Sequence, residues 1–101
     1  MIIYNVTVRV DPAIAADWLQ WQLEEHIPAV LRCGLFTDYR CFRLLEQDDE
    51  EGITYVTQFH CTGLEEYQRY LREFSPHRRQ EAFDKWGDRY IAFRTVMESV
   101  H

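Results

Sequence analysis

One pattern occurs twice along this chain: an alternating strand, an amphipathic helix and a second strand. Ile2 to Val10 alternates as a strand does, Pro12 to Arg32 carries apolar residues at helical spacing, and Leu35 to Glu46 reads as strand again. After an acidic turn, Ile53 to Cys61 reads as strand, Leu64 to Trp86 as a broken helix and Tyr90 to Val100 as strand. Two helices cover only one face of a four-stranded sheet. The order βαββαβ therefore predicts an α+β, ferredoxin-like fold: an antiparallel sheet, both helices on one face, and the other face open. At 101 residues the chain is one domain, 1–101.

The first strand has a clean period of two. Ile2, Tyr4, Val6, Val8 and Val10 form an apolar face, and Ile3, Asn5, Thr7 and Arg9 the other. Asp11 caps the following helix and Pro12 fits its first turn, where no N–H is needed. Ile14, Trp18, Leu19, Leu23, Ile27, Val30 and Leu31 make its apolar stripe. Pro28 lacks the N–H that would reach the Glu24 carbonyl, which predicts a kink near His26. Gly34 is the natural stop. Thr62 to Glu65 fits a capping box ahead of Leu64, Tyr67, Leu71 and Phe74 at helical spacing. Ser75-Pro76 breaks that helix, and Phe83 and Trp86 are expected to face inward beyond the break.

A hairpin centred near Asp49-Glu50 pairs Leu44 with Tyr55 and Arg43 with Val56. That register puts Phe42 and Leu44 under the helices. The open face then carries Asn5, Thr7, Arg9, Tyr39, Cys41, Arg43, Leu45, Val56, Gln58 and His60. If Ile91, Phe93 and Met97 pack under the helices, Ala92, Arg94, Val96 and Glu98 join it. Such a face is too apolar for water, and a second copy of the same sheet is its simplest cover. The predicted partner is thus a homodimer formed through the open face.

Composition narrows the functional classes. A net charge of −6 disfavours nucleic acid, whose phosphates need a basic surface. A run resembling the third-strand motif of RNA-recognition domains, Glu51 to Val56, fails because an acid precedes its glycine. No apolar run approaches the ~20 residues of a membrane span. Cys33, Cys41 and Cys61 have no metal or redox spacing, and the histidines lack metal-motif spacings, so neither metal nor cofactor is expected. A strand beginning almost at residue 1 and unpaired thiols predict a chain with no signal peptide, held in the cytoplasm.

The segments Met1 to Val8, Trp18 to Trp21 leading to Glu25-His26-Ile27-Pro28, Gly34 to Arg40, and Ala92 to Thr95 resemble an uncharacterised bacterial domain-of-unknown-function family. The resemblance implies the dimeric α/β-barrel superfamily, in which two ferredoxin-like sheets close face to face. It implies no reaction, since oxygenases, isomerases, haem enzymes and ligand binders share that fold.

Within such a barrel, Arg9, Arg43 and Arg94, with Asn5, Thr7, Tyr39 and Gln58, would hold a small anionic or aromatic molecule between the sheets. Ion pairing with Glu98 and with a partner's acids would use the same arginines structurally. His26 and His60 are the candidates for proton transfer. Three readings follow: a ligand-binding homodimer, a cofactor-independent oxygenase or isomerase, and a structural or regulatory dimer with no cavity.

Overall fold

The structure, a computed structural model, describes residues 1–101. Four strands, β1 (Ile2–Val10), β2 (Asp38–Arg43), β3 (Ile53–Cys61) and β4 (Tyr90–Glu98), form one antiparallel sheet in the order β2-β3-β1-β4. The helices are α1 (Ala15–Trp21), α2 (Ile27–Leu31), α3 (Leu64–Glu73) and α4 (Ser75–Trp86). The sequence predicts this α+β, ferredoxin-like arrangement, and it is what the chain adopts. No helix is long and apolar enough to cross a membrane.

The alternation of β1 sets the two faces. Tyr4 pairs with Phe59 and Val8 with Tyr55 on the helix side, while Asn5 pairs with Gln58 and Thr7 with Val56 on the other. Two core clusters lie beneath the helices. One gathers Tyr4, Ile27, Val30, Phe36, Phe59 and Tyr70, the other Val8, Val10, Ile14, Trp18 and Tyr55. Tyr4 anchors the first through ring contacts with Phe36, Phe59, Tyr67 and Tyr70, at centroid separations of 5.4 to 6.2 Å.

Between α1 and α2 the backbone forms a π turn, Gln22–His26, where a simple proline kink is expected. The Ile27 N–H reaches back five residues to the Gln22 carbonyl. Such a turn holds an extra residue, and because each helical residue rotates ~100°, the inward stripe changes phase. Gln22 is therefore buried and Leu23 exposed, the reverse of the expected pattern. Pro28 follows within the first turn of α2, where its missing N–H is tolerated. Gly34, at φ 79°, ends the segment as expected.

Three further expectations are corrected. The β2–β3 register is shifted by one: Tyr39 faces Phe59, Phe42 faces Val56 and Arg43 faces Tyr55. Glu46 at φ 59° lies in the connection, and Leu44 donates to the Thr54 carbonyl at 2.9 Å, which fixes the shifted pairing. Because side chains alternate, that slip turns Tyr39, Cys41 and Arg43 to the helix side and Phe42 to the open side.

On β4, Tyr90, Ala92, Arg94, Val96 and Glu98 lie on the helix side, since Arg94 pairs with Val6 and Ala92 with Val8. Ile91, Phe93 and Met97 face outward. β4 is an edge strand, so an arginine on its helix side can stay hydrated at the sheet margin.

Finally, Gly63, not Thr62, caps α3, without a side-chain cap bond. Leu64 and Phe83 are exposed, while Tyr70 is the buried residue of α3.

Candidate functional site

The seam between the two core clusters opens as a cleft on the helix side of the sheet. β1 contributes Tyr4, Val6 and Val8, β4 contributes Tyr90, Ala92 and Arg94, and the helix layer adds Trp21, His26, Tyr70, Ser75, Arg78 and Arg79. Its volume is about 50 Å³, room for a few waters or for the head of a small ligand. Three arginines line it, and none of its 17 lining residues is an Asp or Glu.

The π turn delivers His26 to this cleft. Its ring stacks on Trp21 at 4.8 Å, and Trp21 in turn meets the edge of Trp86 at 5.9 Å. Nδ1 of His26 is shielded from solvent and makes no hydrogen bond. Burial, reinforced by the nearby Arg78 and Arg94 guanidinium groups, lowers its pKa from 6.5 to about 4. At neutral pH the imidazole is uncharged and offers a free nitrogen beside two cations. Burial also raises the Tyr70 and Tyr90 phenols, so both stay protonated. Behind the cleft, buried Gln22 donates from Nε2 to the Thr57 hydroxyl at 3.4 Å, and that hydroxyl lies 3.6 Å from the Cys41 sulfur.

The residues expected to form one site are divided by the sheet. Asn5, Thr7 and Gln58 lie on the open face, where Asn5 donates to the Thr7 hydroxyl at 3.2 Å. His60 lies on that face too, with Nε2 shielded and unbonded. It is therefore across the sheet from His26. Arg9 extends over Gly52, where a Cβ would come within 2.8 Å of its side chain, and pairs with Glu51 at 2.9 Å. Arg43 pairs with Asp49 at 2.7 Å. The acidic connection thus neutralises both arginines. Tyr39 packs against the core cluster around Tyr4. Arg94 is the one expected ligand-binding residue that lines the helix-side cleft.

Arg78, Arg79, Ser75 and Tyr70 are not singled out for a site by the sequence. One signal for them was available: Arg78-Arg79 follows the Ser75-Pro76 break, which begins a new helix and redirects the chain.

The open face carries its own feature. Phe93 is 63% exposed and Ile91 58%, with Phe42, Leu44 and Met97 also exposed. Together with Ile3 and Val56 they surround the polar group of Asn5, Thr7, Gln58 and His60. No group of three or more His, Cys, Asp or Glu side chains is placed to hold a metal ion.

Solved structures share this fold across almost the whole chain. HapK from Hahella chejuensis superposes with a TM-score of 0.73 at 14% identity, covering 99% of this chain and 93% of its own. SnoaB, a cofactor-independent oxygenase from Streptomyces nogalater, gives 0.68 at 13% identity over 99% and 93%. A dimeric ferredoxin-like protein from an uncultured marine organism gives 0.72 at 10% identity over 100% and 96%. At such identities the likeness is one of fold. No curated protein matches the sequence. The sequence model of a domain of unknown function, DUF4286, matches residues 1–100, and the chain belongs to that family.

Proposed function

We propose that this protein binds a small anionic molecule, with an aromatic or apolar body, in the helix-side cleft, and that it works as a homodimer joined through the open sheet face. The observation that carries the reading is the charge of the cleft. The chain holds 17 acids against 11 basic residues, yet three arginines and no acid line this space. Arg79 and Arg94 make no ion pair, so their donors are free for a carboxylate, phenolate or phosphate, which guanidinium binds in bidentate fashion. Trp21, Tyr70 and Val30 supply an apolar wall for the rest of the ligand. The binding site moves, relative to the sequence expectation, from between two sheets to between the sheet and its own helices.

The open face supports the dimer. Full burial of each large apolar side chain there is worth roughly 1.5–3 kcal/mol, and a two-fold partner covers the whole set at once. Asn5, Thr7, Gln58 and His60 then meet the partner's polar groups at the interface.

The unbonded Nδ1 of His26 favours a second reading, a cofactor-independent oxygenase or isomerase. A neutral imidazole accepts a proton from a weakly acidic ligand, and the adjacent guanidinium groups stabilise the anion formed. This reading requires His26 to accept a proton while ligand is bound.

Thermal denaturation with benzoate and phosphate tests the binding reading. Either anion should raise the melting temperature with increasing concentration, and Arg94→Met should remove the rise while the fold persists. No response from the wild type to either anion, with a dimer still present by light scattering, would favour a structural or regulatory dimer.

A further inference from the structure

We infer that the ligand is an elongated molecule with two anionic ends, because a second basic recess adjoins the cleft. Ala29, Arg32, Cys33 and Phe74 line a recess of about 230 Å³ that shares Val30, Tyr70 and Arg78 with the first space. Its lining, too, contains no Asp or Glu. The two spaces together hold four of the 11 basic residues and none of the 17 acids.

The arrangement is that of two adjoining subsites with three lining residues in common. Val30 and Tyr70, both buried, line the two spaces in common with Arg78. A guanidinium carries five N–H donors in a fixed fork, enough to serve an anionic group on each side. Arg78 has one internal partner, Glu81 at 3.1 Å, and Glu81 also accepts from His77 at 2.8 Å. Arg32 on one side and Arg94 on the other make no ion pair. A ligand reaching both ends thus finds a free arginine at each and a shared one between.

This inference rests on the anion-binding cleft proposed above and adds a second anchor to it. Once one end is bound, the second contact is intramolecular, and affinity rises steeply at the chain length that spans the sites. A ligand too short to span gains nothing.

Calorimetric titration of the intact protein with a ladder of aliphatic α,ω-dicarboxylates, each paired with the monocarboxylate of equal length, tests this directly. At one chain length or more, the diacid should bind at least about tenfold more tightly than its monoacid. Arg32→Gln should return the diacid to the monoacid's affinity and leave the monoacid unchanged, since Arg32 lines only the second recess. Arg94→Met should weaken both. If monoacids bind but no diacid exceeds its match, or Arg32→Gln weakens both classes equally, the second subsite is refuted and the cleft stands. If neither class binds, both readings fall.

Discussion

Replacing His26 with glutamine should flatten the acid limb of the protein's stability curve. In the folded chain the imidazole pKa is lowered from 6.5 to about 4, first by burial and then by Arg78 and Arg94. The unfolded chain, whose imidazole titrates at its ordinary value, therefore takes up the proton first as pH falls. Stability is undiminished above pH 6.5, declines through the interval, and the loss is complete below the folded value of about 4. At ~1.36 kcal/mol for each pH unit separating the two states, this one group removes about 3 kcal/mol. That is a large share of the roughly 5–15 kcal/mol that holds an ordinary domain together.

Urea denaturation followed by tryptophan fluorescence measures the effect, at a series of pH values and one fixed protein concentration. The stability difference between wild type and His26→Gln should shift by about 3 kcal/mol in the variant's favour between neutral pH and about pH 4. Parallel curves would refute the reasoning, as would an imidazole resonance titrating near 6.5. An anion held between Arg78 and Arg94 cancels the charge that opposes protonation, so a saturating ligand should raise the His26 pKa.

Phe93→Glu should convert the proposed homodimer to monomer by light scattering at little cost to the monomer's own fold, because Phe93 is already 63% exposed within one chain. A dimer that survives this change does not use the open face. Gln22→Leu deprives the buried Thr57 hydroxyl of its donor and should cost about 1–3 kcal/mol in denaturant unfolding. Adding Thr57→Val should recover part of that loss, whereas additive losses would mean the two side chains are not coupled. Ile27→Ala, at a position 1% exposed directly after the π turn, should cost about 2–5 kcal/mol and lower the melting temperature. A loss below about 1 kcal/mol would show that the segment relaxes into the space.

The parts of the fold legible in the sequence are those where chemistry repeats at a fixed interval. Ile2 to Val10 alternates so regularly that its two faces, and hence the places of Asn5, Thr7 and Tyr4, follow from spacing alone. β2 lacks that regularity. Its facing depends on the connection from Leu44 to Gly52, and a one-residue difference there exchanged Tyr39 and Arg43 for Phe42. β4 begins Tyr90-Ile91-Ala92-Phe93, apolar on both sides, so only its pairing with β1 decides which way Arg94 turns.

The π turn resists a reading based on helical periodicity because it changes the period itself, and it is the element that brings His26 and Gln22 inward. Tyr70 is hidden for a related reason: Tyr67, Leu71 and Phe74 already form a plausible stripe one residue away. Arg94 and His26 were legible as functional residue types. Their convergence on the helix side required the strand facing and the turn together.

An amide-resolved NMR titration of the protein with benzoate locates the anion-binding site. Binding in the helix-side cleft predicts saturable shifts at the Trp21 indole, Ser75, Arg78, Ala92 and Arg94, with Asn5, Thr7 and Gln58 unmoved. Shifts confined to Asn5, Thr7 and Gln58 would return the site to the inter-sheet space, and their absence at both places would contradict an anion-binding function.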